Sequence, residues 1–84
     1  MLKKNFNFMI AKIDNKIYIS DGTKLFETNS IGADIYKQVN GKRNILEITS
    51  NLSQIYDVSF EELSNDIKDI IYQYLQFGIL KETN

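Results

Sequence analysis

Apolar residues recur at two different periods along this chain, and the switch between them divides it. From Phe6 to Ile13, FNFMIAKI, apolar and polar positions roughly alternate, as on a half-buried strand. Asp14-Asn15 follows, a pair that tolerates left-handed backbone angles and suits a two-residue hairpin turn. KIYIS, Lys16 to Ser20, sets Ile17 and Ile19 on one face of a second strand. Asp21-Gly22 is another turn signal, and TKLFET, Thr23 to Thr28, reads as a third strand. Its adjacent apolar residues, Leu25 and Phe26, must point to opposite faces if the segment is extended.

Beyond Thr28 the period lengthens to that of a helix. A first helix is predicted from about Asn29 to Asn40, burying Ile31, Ile35, Tyr36 and Val39, with Gly41 as a left-handed terminator. The second opens at NILE, where Asn44 caps and Glu47 reaches back to it. Its apolar stripe is Ile45, Ile48, Leu52 and Ile55. The third carries the fullest set of signals. Ser59 and Glu62 have capping-box spacing, and Val58 and Leu63 are spaced as a hydrophobic staple. Phe60, Leu63, Ile67, Ile70, Ile71 and Tyr74 make its buried stripe, and Gly78 followed by Ile79 fits a Schellman ending. The predicted fold is α+β and winged helix-turn-helix-like, a three-stranded antiparallel sheet followed by three helices. With 84 residues, no repeats and no Pro-rich linker, one domain over residues 1–84 is expected.

Composition narrows the chemistry. The chain is 43% hydrophobic and 25% charged with a net charge of −1, an ordinary globular balance without a basic surface for phosphates or anionic lipid. It has no Cys and no His, which removes thiolate catalysis, zinc-thiolate sites, the commonest metal ligand and the usual near-neutral proton shuttle. MLKKNFNFMIAKID is too short in its apolar part, and too interrupted, for a signal peptide or a membrane span, so a cytoplasmic protein without membrane contact is expected. No Gly-rich phosphate loop or G-x-S-x-G turn occurs. Asp66 and Asp69 are three apart on the third helix, and Asp69 falls on its polar face, a solvated pair rather than an acid–base site. No catalytic residue, metal site or cofactor is expected.

A helix-turn-helix outline raises nucleic acid as a ligand. The third helix would then lie among phosphates spaced about 1.7 Å apart along the duplex axis. That helix carries Glu61, Glu62, Asp66 and Asp69 against Lys68 alone, and Lys42 and Arg43 are too few to compensate. A nucleic-acid-binding regulator is thus the second reading. An unpaired edge of a small sheet, which proteins either blunt or use, offers another kind of recognition: strand addition by a peptide. The same edge could pair with a second copy to give a homodimer.

The ordered segments IDNKIYISDG, TKLFETNSIGADIY, NGKRNILEI, IYDVSFEELSNDI and YLQFGIL together resemble the PqqD-like family, the peptide-binding domains also called RiPP recognition elements. The similarity spans about Phe8 to Glu82. Thr28, Tyr36 and Asn44 depart from it, standing where the family more often has Leu, Trp and Thr. The resemblance implies a non-catalytic adaptor. It would bind the leader of a ribosomally made precursor peptide as a strand on the third β-strand, in the cleft facing the third helix. The partner would be a modifying enzyme such as a radical S-adenosylmethionine enzyme, a cyclodehydratase or a leader peptidase. Carried onto this sequence, the peptide-binding residues would be Lys24, Leu25, Phe26, Glu27 and Thr28 on the strand. Asp66, Ile67, Ile70, Ile71, Gln73 and Tyr74 would supply the helix side.

Overall fold

A computed structural model describes residues 1–83. Its strands are β1 (Leu2–Lys4), β2 (Met9–Ile13), β3 (Lys16–Ser20), β4 (Leu25–Thr28) and β5 (Leu80–Glu82), and its helices α1 (Ser30–Gln38), α2 (Ile45–Tyr56) and α3 (Phe60–Phe77). β2, β3 and β4 form the expected antiparallel meander, in that order, so β4 is an edge. Asp14 and Asn15 both have positive φ, 51° and 67°, as the first hairpin turn requires. Register places Ile10, Ile19 and Phe26 side by side on the face toward the helices, while Met9, Ser20 and Leu25 share the opposite face.

Two strands lie outside the sequence expectation. β1 pairs antiparallel with β5, Leu2 opposite Glu82 and Lys4 opposite Leu80. Each is three residues long and mostly charged, too short to show a period, yet Leu2 and Leu80 are both buried. β2 also begins later than predicted. The Asn5 side chain donates to the Gly78 carbonyl at 3.0 Å, and the Phe8 N–H donates to the Asn5 carbonyl at 3.0 Å. This turn sends Phe8 into the core and leaves Phe6 86% exposed.

The helix signals act largely as the sequence predicts. The Asn44 side chain accepts from the Glu47 N–H, and Glu47 answers from its own carboxylate, completing the capping box. Ser59 accepts from the Glu62 N–H at 3.2 Å. At the far end of α3, Gly78 adopts φ 86°; Ile79 N–H donates to the Tyr74 carbonyl and Gly78 N–H to that of Leu75, the two bonds of a Schellman ending. Three details differ. α1 stops at Gln38 because Val39 turns extended and buries its β-branched side chain completely, so Gly41 bends the following loop instead of ending the helix. Ile55 is 65% exposed, since Tyr56 takes the inward position and donates its hydroxyl to the Asp34 carboxylate on α1. Phe60, the first residue of α3, is 43% exposed beyond the core's edge. The buried stripe of α3 is Leu63, Ile67, Ile71 and Tyr74.

Candidate functional site

The carboxylate of Asp21 organises the approach to β4. It accepts from the backbone N–H groups of Thr23 and Lys24, at 2.9 and 2.8 Å, and from the Thr23 hydroxyl at 2.8 Å. Those hydrogen bonds hold its pKa down at about 2, so the turn entering β4 stays anchored at any ordinary pH. β4 then runs beside β3, with Ile17 opposite Thr28 and Ile19 opposite Phe26. No strand pairs with its other side among the described residues. In an antiparallel ladder, alternate residues aim their N–H and C=O groups away from the partner, and on β4 these groups face open space.

Alternation along β4 decides which side chains meet α3. Phe26, half-buried, stands edge-on to Tyr74 at 5.6 Å and to Phe77 at 5.1 Å between ring centroids. Thr28, two residues on, shares a 2.8 Å hydrogen bond between its hydroxyl and that of Tyr74. Gly32 of α1 packs against this pair, and Asn29 fixes the start of α1 by accepting from the Gly32 N–H at 2.8 Å. A Cβ on Gly32 would overlap the Thr28 hydroxyl and come within 2.7 Å of the Tyr74 hydroxyl. Gly32→Ala is therefore expected to break the Thr28–Tyr74 bond. Overpacking of about 1–3 kcal/mol should outweigh the gain in helix propensity of about 0.5–1 kcal/mol. Thermal melting checks this, and adding Thr28→Ala should recover part of the loss. A variant melting above the wild type would show that no close approach constrains residue 32.

Between the β4 edge and α3 lies an open cleft of about 400 Å³, lined by Phe26, Glu27, Thr28, Asn29, Ile70 and Gln73. A second lobe of about 250 Å³ adjoins it, sharing Asn29 and Ile70 and lined also by Ile31, Asp66 and Asp69. Of the residues predicted from the sequence, Phe26, Glu27, Thr28, Ile70, Gln73 and Asp66 line these lobes. Lys24 stands at the opposite end, its ammonium 5.8 Å from the centre of the Phe77 ring. Leu25 does not join them: it is 62% exposed on the other face of the sheet. Ile67, Ile71 and Tyr74 are core residues with no surface to offer, and they support the cleft from beneath. Asn29, Ile31 and Asp69 are residues that sequence reasoning missed. The three-residue spacing of Asp66 and Asp69 was a usable signal, since it puts both on one helix face.

A hollow of about 430 Å³ lies elsewhere, between Met1, Leu2, Glu82 and the start of α2, away from the free strand edge. Among the described residues, no three Asp or Glu side chains are grouped to hold a metal ion. Nor is any helix long and apolar enough to cross a membrane.

A family model described as coenzyme PQQ synthesis protein D (PqqD) matches residues 17–80. The chain belongs to the PqqD family. Among solved structures, this PqqD-family domain superposes on TbiB1 in complex with the TbiA(beta) leader peptide with a TM-score of 0.78. That alignment has 17% identity and covers 98% of each chain. Lasso peptide synthetase B1 complexed with the leader peptide gives a TM-score of 0.78 at 16% identity, over 96% of this chain and 98% of that one. At such identities the likeness is one of fold, and it fixes the domain as α+β and winged-helix-like. No curated protein matches the chain.

Three tyrosines of the PqqD-family domain make its stability sensitive to alkali: Tyr36, whose phenol burial pushes up, and more strongly Tyr74 and Tyr56. Burial, only partly offset by the bond to Thr28, pushes the Tyr74 phenol up to about 12. Tyr56 also rises to about 12, chiefly because its hydroxyl is held by the Asp34 carboxylate. Both folded values lie above the ordinary value of 10.0, so the folded state keeps protons that the unfolded chain has released. Their contribution is complete below pH 10 and is lost as pH rises through 12. Urea midpoints measured across this range should fall steadily, and a flat profile would contradict the burial of Tyr74.

Proposed function

We propose that this domain binds the leader of a ribosomally made precursor peptide as an added strand on β4, and presents it to a modifying enzyme without itself catalysing a reaction. The observation that carries the reading is the free edge of β4 beside a cleft walled by Phe26 and Ile70. Membership of the PqqD family and a fold shared with two proteins bound to leader peptides support it. The peptide-binding residues are Phe26, Glu27, Thr28, Ile70, Gln73 and Asp66, with Lys24 at one end of the strand. The partner enzyme belongs to one of the classes named above, and the reading places both proteins in the cytoplasm, where precursor peptides are made.

Magnitudes say what such a ligand must contain. Up to four backbone hydrogen bonds along β4 contribute about 0.5–1.5 kcal/mol each, net of water. Ordering a flexible peptide costs about 2–5 kcal/mol, so strand pairing alone binds weakly. Micromolar affinity corresponds to about −8 kcal/mol and needs at least one apolar leader residue seated on Phe26 and Ile70. The test is fluorescence polarisation of a labelled leader taken from the precursor encoded beside this gene. Saturation in the low micromolar range or below is expected. A companion gel shift at low salt should leave duplex DNA unmoved, because the exposed face of α3 carries Glu61, Glu62, Asp66 and Asp69. Shifted DNA and no leader binding would replace this reading with a nucleic-acid one.

A further inference from the structure

The two lobes of the cleft differ in chemistry, and the second fits a cation. Building on the leader-binding reading, we propose that the bound peptide carries a lysine or arginine two residues from its apolar anchor, seated between Ile31, Ile70, Asp66 and Asp69. In the first lobe, Phe26 and Ile70 offer an apolar seat beside Thr28, Asn29 and Gln73, with Glu27 its one charged residue against two in the second lobe. In the second, half-buried Ile31 and Ile70 form a floor, and the exposed carboxylates of Asp66 and Asp69 form the rim. A long basic side chain suits this arrangement: its methylene stem covers the isoleucines while its charged head reaches the carboxylates. Neither lobe is lined by a lysine or arginine of the domain itself. The N-terminus of α1 opens at Asn29 with a partial charge of about +0.5, which two full carboxylates outweigh.

The spacing follows from the geometry of the two elements. The lobes share Asn29 and Ile70, and their remaining α3 residues, Gln73 against Asp66 and Asp69, are four and seven positions apart. Their centres are thus separated by about one helical turn, ~5.4 Å along α3. Side chains on one face of an added strand repeat every second residue, about 6.6 Å apart. An anchor in the first lobe therefore brings the residue two positions away over the carboxylates. An acidic side chain there would meet like charge on both sides.

Selection from a displayed library of short random peptides tests this. The baits are the wild type, Asp66→Asn combined with Asp69→Asn, and Phe26→Ala combined with Ile70→Ala. Both aspartates are exposed, so the asparagine variant keeps its packing, and a melting curve confirms that the bait is folded. With the wild type, Lys or Arg should be enriched two residues from an apolar position. With the asparagine variant, the apolar preference should persist and the basic one vanish. The selected peptide should lose about three- to tenfold in affinity for that variant, a difference that shrinks in high salt. An apolar preference without a basic one, or a basic preference that survives the asparagines, would overturn the proposal and leave leader binding intact. No selected peptides, or peptides indifferent to loss of Phe26 and Ile70, would overturn the leader-binding reading and this proposal together.

Discussion

Phe26→Ala is expected to weaken leader binding at least tenfold. The exposed side of this half-buried ring is one wall of the cleft, and Ile70 is the other. A leader side chain that moves from water onto these two residues gains about 1.5–3 kcal/mol, equivalent to ten- to a hundredfold in affinity. Alanine at position 26 removes most of that contact. It also removes two edge-on aromatic pairs, with Tyr74 and Phe77, each worth about 0.5–1.5 kcal/mol, so the variant will be less stable as well. The two effects are separable. Polarisation is measured at a temperature where circular dichroism shows the variant folded, and Ile70→Ala provides a second wall mutant that leaves the aromatic pairs intact. Both should weaken binding, whereas only Phe26→Ala should lose the ring contacts. Equal affinity for wild type and both variants would place the peptide somewhere other than this cleft.

The elements beside the cleft were largely legible in the sequence, because their signals are local. Ser59 and Gly78 bound α3 as their chemistry predicts, and Leu63, Ile67, Ile71 and Tyr74 of the expected stripe are buried, while Phe60 and Ile70 are only partly covered. The two turns before β4 are equally local, fixed by Asp14-Asn15 and by Asp21-Gly22. What the sequence hid depends on pairing between distant residues. β1 and β5 meet across nearly the whole chain, and neither holds enough apolar residues to announce itself. Leu25 and Phe26 could not be told apart as ligand contacts until register set Phe26 beside Ile19, facing the helices. Likewise, Ile67, Ile71 and Tyr74 share a helix face with the cleft residue Ile70, and a small rotation about α3 separates wall from core. Asn29 and Ile31 enter the site only because Gly32 lets α1 come close to Thr28 and Tyr74.

A strand edge supplies affinity through groups every residue possesses, and leaves selection to the few side chains beside it. In this domain those side chains differ along the strand: a lysine by the Phe77 ring, Phe26 and Ile70 beside Glu27 in the middle, and two aspartates beyond Asn29. Such a gradient can fix a peptide's register as well as its affinity, because a shift by two residues exchanges apolar and charged positions.

Tyr74→Ala should have the largest effect on the fold. Tyr74 is fully buried, touches Phe26 through its ring edge and Thr28 through its hydroxyl, and so connects both inward-facing residues of β4 to α3. Removing a buried aromatic side chain costs about 3–5 kcal/mol. A domain of 84 residues has about 4–13 kcal/mol of stability in total, so the substitution removes a large share and could leave it unfolded at body temperature. Tyr74→Phe separates the two contributions. It keeps the ring behind Phe26 and deletes only the bond to Thr28, with an expected loss of about 0.5–1.5 kcal/mol and nearly unchanged leader binding. It should also weaken the fall in stability above pH 10, since one of the three raised phenols is gone. Urea denaturation of both variants decides the matter. If Tyr74→Ala unfolds close to the wild-type midpoint, β4 is held by its ladder to β3 and by the Phe26–Phe77 contact without Tyr74, and Tyr74 does not set the rigidity of the cleft wall.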